Sequence, residues 1–261
     1  VDRSWGTLWS MAFGLEEPTE EDRLVMAGRY EAAIAELDDL LRGLLDQLDE
    51  AGDLENTVIV VTSDHGEHLG RDGNFGHQYS LHRQLLDVPL VVRYPERFAP
   101  GRDGRPVMTH DLFPTLLDLA GVEVPAEAKG KTVSLLAPLD SRERLSECPG
   151  VFLDPFPAVL RLYPDWDPTP WTREIRSLQQ GDYKLIRWSD GEARLYRVDR
   201  DPDETSDIAA IDDTTRARME GELDTLVSRF ATAPASSALP PELTEEQIQM
   251  LRTLGYIAEE E

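Results

Sequence analysis

The stretch Thr57-Val58-Ile59-Val60-Val61-Thr62-Ser63-Asp64-His65-Gly66-Glu67-His68-Leu69-Gly70 limits the fold most sharply. Its first five residues are rich in β-branched side chains, the pattern of a strand buried on both faces. The strand then stops at Ser, Asp, His and Gly. In an open α/β sheet, ligands bind in the crevice beyond the carboxyl ends of the strands. An Asp and a His delivered there side by side are placed to hold a metal ion, Asp64 through carboxylate oxygens and His65 through a ring nitrogen. Gly66 lets the backbone turn sharply behind them. A second reading is a helix start, with Ser63 or Asp64 as N-cap. The spacing alone does not choose between them.

The preceding segment reads as a helix. Thr19 followed by Glu20, Glu21 and Asp22 is a helix start with acids at the positive end of the dipole. Tyr30, Ile34, Leu37, Leu41, Leu44, Leu45 and Leu48 fall at helical spacing, and Gly52 suits the C′ position. Such a stripe is expected in the core. Residues 1–18 read as the tail of a loop. After Asp64, the glycine-bearing segment 69–79 is expected to be an active-site loop. A second strand is expected over Val88–Arg93, and a helix over His110–Ala120 capped by Thr109 and stopped by Gly121. A boundary near residue 145 divides a first unit, 1–145, from a second, 146–261. The second holds an irregular proline-rich loop over 155–171 and a hairpin of Tyr183–Trp188 with Arg194–Val198 around Asp190-Gly191. It also holds an amphipathic helix over Thr214–Phe230, a linker over 231–241 and a terminal helix over 243–257.

Charge excludes some partners. The 261 residues hold 51 acidic against 26 basic side chains, a formal charge of −25. Nucleic acid is excluded because phosphate binding needs clustered Lys and Arg. No run of about 18 apolar residues spans a bilayer. The hydrophobic content of 40% suffices for a core, and the one cysteine, Cys148, rules out an internal disulfide.

The Ser63-Asp64-His65-Gly66-Glu67 run resembles that of the sulfatases, within the alkaline-phosphatase-like superfamily. Further segments resemble the family in order: Gly76-His77, Leu85-Leu86-Asp87-Val88-Pro89-Leu90, Asp111-Leu112-Phe113-Pro114-Thr115, Gly181-Asp182-Tyr183-Lys184-Leu185-Ile186, Asp201-Pro202-Asp203-Glu204 and Leu254-Gly255-Tyr256. The resemblance implies an α/β fold, a partial alkaline-phosphatase-like sandwich, with a small C-terminal α+β subdomain containing an antiparallel hairpin and a helix. It implies that the chain is the C-terminal part of a metal-dependent sulfuric ester hydrolase. In that reading a preceding half supplies two further metal-binding Asp residues and a formylglycine nucleophile from a Cys/Ser-x-Pro-x-Arg motif. Cys148, in Glu147-Cys148-Pro149-Gly150, does not fit that motif.

By the same resemblance Asp64 and His65 are metal ligands, for one divalent ion, Ca²⁺ or Mn²⁺. His77 takes the slot of a residue that contacts sulfate and helps the leaving oxygen depart, against a competing reading as a water-exposed loop histidine. Glu67 supports the metal site. Lys184 is a candidate substrate contact, its alternative being a solvated Lys on a strand edge. Arg83 and Arg93 are weaker candidates for that role. His68 and His82 are expected behind the ligands or at the surface, and His110 as structural. The implied partner is a sulfated small molecule or glycan, and the implied location periplasmic or secreted. Two rivals stand beside this reading. One is a phosphoethanolamine or phosphoglycerol transferase, or a phosphodiesterase, of the same superfamily; the other is a non-catalytic metal-binding remnant.

Overall fold

The computed structural model describes residues 5–70, 74–126, 128–129, 132–138, 142–150 and 156–230. A first helix, α1 (Trp5–Ala12), replaces the loop expected at the amino end. It is held by aromatic packing: the Phe13 ring centroid lies 4.7 Å from that of Trp166, 5.1 Å from Trp171 and 5.7 Å from both Phe156 and Tyr79. The sequence did not disclose this cluster, because aromatic clustering has no fixed sequence period.

The helix α2 (Glu20–Ala51) begins and ends where its caps dictate. Thr19 Oγ1 accepts from the Asp22 amide at 3.2 Å while the Asp22 carboxylate accepts from the Thr19 amide at 3.1 Å. At the other end Gly52 takes φ 78°, the left-handed conformation that closes helices. The leucine stripe is not core. Of its members, Ile34, Leu37 and Leu44 are each more than half exposed and Leu41, Leu45 and Leu48 are half-buried, while Asp22 is the only buried residue described on this helix. Periodicity reports that a face is apolar; it does not report what covers it.

Beyond a short 3-10 turn comes β1 (Ile59–Thr62), then the two-residue strands β2 (His68–Leu69) and β3 (Phe75–Gly76), which pair with each other. The short helix α3 (Arg83–Leu86) leads into β4 (Leu90–Arg93), antiparallel to β1 with Thr62 opposite Leu90. β1 was expected to be buried on both faces. It is half-buried, Thr62 is exposed, and Val91, opposite Val61 in the ribbon, is 58% exposed. The run of β-branched residues specifies a strand, not the number of layers around it.

The helix α4 (Leu112–Ala120) follows a 3-10 turn at 109–111. Thr109 is not its cap. The fully buried Asp111 carboxylate instead accepts from the amides of Met108 at 2.8 Å and Val133 at 3.1 Å, and from Arg142 at 2.6 Å. Pro114 sits in the first turn, where a missing N–H is harmless, and Gly121 closes the helix at φ 69°.

The second sheet holds β5 (Arg144–Cys148), β6 (Ile175–Gln180), β7 (Tyr183–Trp188) and β8 (Ala193–Arg197), in that order and antiparallel throughout. Residue 145 thus lies inside a strand. The helix α5 (Phe156–Leu162) interrupts the loop expected at 155–171. The register places Leu145, Leu178, Leu185 and Leu195 in one cross-strand row. That row packs on Met219 and Leu223 of α6 (Asp213–Phe230), both fully buried. Each such burial contributes about 2 kcal/mol. The alternate row, Arg144, Gln179, Lys184 and Tyr196, faces the other way. The linker and terminal helix expected beyond residue 230 lie outside the described residues.

Candidate active site

β1 delivers its last residue at Thr62, and the chain turns without a helix before β2, so neither Ser63 nor Asp64 is an N-cap. The Asp64 carboxylate accepts from the His65 amide at 2.9 Å, and Ser63 Oγ donates to the His65 carbonyl at 2.7 Å. These two bonds fix the turn. His65 Nδ1 donates to the Gly66 carbonyl at 2.9 Å, which leaves the Nε2 lone pair free. Nε2 stands 3.8 Å from Asp64 Oδ2, and the Asp64 side chain is 79% exposed. Asp64 and His65, the pair expected to hold a metal, thus present an open carboxylate and a ring nitrogen side by side at the end of β1.

Gly66 is required for a different reason from the one the sequence suggested. Its amide donates to the Leu85 carbonyl at 2.8 Å, and a Cβ built there would meet the Gln84 carbonyl oxygen at 2.0 Å. The metal-pair turn is pressed against α3, and only hydrogen fits between them. Gly70, at φ 79°, is likewise covered by the Phe75 ring, which a Cβ would meet at 2.1 Å. That contact closes the β2–β3 hairpin and brings the next loop back over the Asp64 turn.

The returning loop carries His77. Its Nδ1 lies 3.0 Å from Glu67 Oε2, and its ring stacks on His65 with centroids 4.2 Å apart and planes 18° from parallel. Glu67 therefore fixes the orientation of the His77 ring. The opposite ring nitrogen has no partner among the described residues. His65, Glu67 and His77 each offer a ligand atom, all within 4.8 Å of one another. The near-parallel stack nevertheless aims the two in-plane lone pairs side by side, not at a common point, so one ring must turn before all three can share an ion. Tyr79, two residues on, holds φ 59°, a strained conformation for a bulky side chain. The aromatic cluster that begins at Phe13 over-determines it.

Behind this loop lies a buried network that sequence reasoning missed. His68 is 1% exposed, with Nε2 3.0 Å from Ser80 Oγ. His82 Nδ1 is 3.1 Å from Glu204 Oε2, and the Arg83 amide donates to the same oxygen at 3.1 Å. Neither histidine is at the surface. Lys184, expected to contact substrate or water, is buried and donates to Glu204 Oε1 at 2.7 Å and Oε2 at 2.9 Å. Burial alone raises the Glu204 carboxyl, but the hydrogen bond from His82 and the ammonium of Lys184 hold it below its ordinary value. Burial pushes the Lys184 ammonium down, against the opposing pull of Glu204. Glu204 adopts φ 55° to reach all three donors. The Asp201-Pro202-Asp203-Glu204 turn was the only signal of it in the sequence.

Arg83 and Arg93 have structural partners. Arg83 Nε donates to Asp87 at 3.0 Å, and Arg93 donates to the Leu54 carbonyl at 2.8 Å and pairs with Glu55. A cavity of about 1020 Å³ opens beside the Asp64 turn, between the loop 104–110 and the polar row of the second sheet.

Comparison with known proteins places this geometry. The Sulfatase family model matches residues 11–122. An N-acetylglucosamine-6-O-sulfatase of Bacteroides thetaiotaomicron is 31% identical over 182 residues, 69% of this chain and 31% of the relative. Arylsulfatase K of Bos taurus is 28% identical over 241 residues, 91% of this chain and 42% of the relative. A solved 2-O GAG sulfatase shares 21% identity at a TM-score of 0.61, over 75% of this chain and 41% of that one. The likeness carries the fold: α/β and alkaline-phosphatase-like. The chain spans less than half the length of these relatives.

Proposed function

The chain belongs to the sulfatase family, and from that premise we propose that it carries part of the machinery of a metal-dependent sulfuric ester hydrolase acting on a sulfated small molecule or glycan outside the cytoplasm. The observation that carries the proposal is the meeting of Asp64, His65 and His77: a metal-holding pair with a second imidazole stacked 4.2 Å above it. Asp64 and His65 hold one divalent ion, Ca²⁺ or Mn²⁺, which when bound neutralises charge on the sulfuryl oxygens. Glu67 orients His77 through Nδ1, so Nε2 is the atom that donates a proton to the departing ester oxygen. In this reading the buried Lys184–Glu204 pair contacts no substrate; through His82 and the Arg83 amide it steadies the loop that carries the donor. No residue of the chain is assigned as nucleophile, since the one cysteine, Cys148, lies in β5 outside any Cys/Ser-x-Pro-x-Arg motif.

The test is hydrolysis of 4-nitrophenyl sulfate by the protein at its full encoded length and by these 261 residues alone. We expect turnover at full length, abolished by Asp64→Ala, and none from the 261 residues. Undiminished turnover in Asp64→Ala, or turnover by the 261 residues alone, would overturn the reading. Faster hydrolysis of a phosphate diester than of the sulfate would move the protein to the phosphoryl branch of the superfamily.

A further inference from the structure

The cavity beside Asp64 has one wall of unusual composition. Arg144, Ser146, Ser177 and Gln179 all line it. The register explains why they lie together. Arg144 is opposite Gln179, and Ser146 is opposite Ser177 two residues along, so the four side chains form a patch on one face of β5 and β6. The other face of the same strands is the leucine row of the core. A sheet face that alternates this cleanly is expected to meet water or a polar ligand. Here it meets a part-open cavity whose lining also includes Asp64.

The charges on this lining are unequal in one respect. Arg105 is paired with Asp103 at 2.6 Å, Arg142 with Asp111 at 2.6 Å and Lys184 with Glu204 at 2.7 Å. Arg144 has no hydrogen-bond or ion-pair partner among the described residues. The nearest carboxylate acting on it, Asp87, is itself held by Arg83 at 2.9 Å. Burial lowers the Arg144 pKa from its ordinary value, as expected of a partly desolvated cation without a counter-ion. In a chain of net charge −25, a guanidinium in a cavity with no carboxylate partner among the described residues is a place for an incoming anion. Its planar fork suits a sulfate or a carboxylate. The hydroxyls of Ser146 and Ser177 and the Gln179 amide are groups that hydrogen-bond sugar hydroxyls.

We propose that this patch is a saccharide subsite in which Arg144 pairs with a second oxyanion, carried by the same glycan whose sulfate ester is cleaved beside Asp64 and His77. The inference rests on the function proposed above and narrows its substrate to a sugar bearing more than one acidic group. A singly sulfated neutral sugar leaves Arg144 unmatched and binds weakly.

Calorimetry on the protein at its full encoded length, stripped of divalent metal so that no turnover occurs, tests this with three matched disaccharides at about 0.15 M salt, where long-range repulsion is screened. One carries a single sulfate, one a second sulfate, and one a single sulfate with a uronate carboxylate. A second sulfate or a carboxylate is expected to tighten binding about ten-fold or more over the single sulfate, the range for a charge-assisted contact. Arg144→Gln is expected to erase that gain and Arg144→Lys to keep part of it, with both variants melting like the parent. If the second sulfate alone tightens binding, the subsite reads sulfate; if both do, it reads any oxyanion. An equal gain in Arg144→Gln, no gain in the parent chain, or no binding of any probe would overturn the proposal. Turnover is not read, so failure of the sulfatase reading would show separately, as absent hydrolysis with the Arg144-dependent gain intact.

Discussion

Lys184 Nζ lies 2.7 and 2.9 Å from the two carboxylate oxygens of Glu204, and each of these side chains is 2% exposed. The pair joins β7 to the turn after β8, and through His82 and Arg83 it reaches the loop that bears His77. A buried ion pair adds little net stability over a well-packed apolar pair, but losing one partner strands the other.

Lys184→Met is therefore expected to cost about 3–5 kcal/mol, because Glu204 is left buried without its cation. The double variant Lys184→Met with Glu204→Gln should recover a large part of that loss. Urea unfolding of the two single variants and the double checks this. Additive losses would show that the two residues are not coupled.

Acid sensitivity follows from the same pair. The folded-state pKa of Glu204 is depressed, so its contribution is present above the ordinary value of 4.5 and is lost as pH falls through the depressed one. Below pH 4.5 the parent chain should lose stability more steeply than the Lys184→Met, Glu204→Gln double variant. Denaturant midpoints followed from neutral pH downward give both slopes. Parallel curves would mean that Glu204 titrates alike in folded and unfolded chains.

His77→Ala is expected to lower turnover by roughly 10²–10⁴ on a sugar sulfate, the range for a positioned proton donor. The loss should be smaller on 4-nitrophenyl sulfate, whose leaving group needs no proton. Stability should change by about 0.5 kcal/mol or less, since His77 is part-exposed in a loop. Rates for both substrates, with a melting curve, decide the matter. Equal losses on the two substrates would make His77 a binding or structural residue.

Gly66→Ala tests the close approach of the Asp64 turn to α3. With a Cβ placed 2.0 Å from a carbonyl oxygen, something must shift, and a cost of about 1–3 kcal/mol or more is expected. Gly101→Ala is the control, because nothing lies within 4 Å of its added methyl. Thermal melts of the two variants should differ widely; equal melts would remove the packing argument for Gly66.

The parts of the fold that the sequence disclosed are those set by neighbours in the chain. Thr19, Asp22 and Gly52 cap α2 because a cap is decided within four residues. Asp190-Gly191 turns the β7–β8 hairpin for the same reason. The place of Asp64 and His65 just past β1 was legible because a strand that stops abruptly announces its own end. Contacts across more than a hundred residues left no such trace. Lys184 looked like a strand-edge lysine because nothing near it in sequence names Glu204 as its partner. Ile34 and Leu37 looked like core because a periodic stripe carries no information about the opposite surface. That Arg144 has no side-chain partner among the described residues appears only when the described carboxylates around it are counted.

The bonds from His82 and Arg83 to Glu204 link positions 122 and 121 residues apart. Closing a loop of that length is entropically costly until other contacts share the burden, so such contacts form late. On a ribosome the Asp64 turn emerges long before Glu204 has been synthesised. The nascent chain therefore displays Asp64 and His65 while the loop bearing His77 is still unanchored. The proposed site is therefore braced only after β7, β8 and Glu204 have been made and docked, well after the Asp64 turn itself.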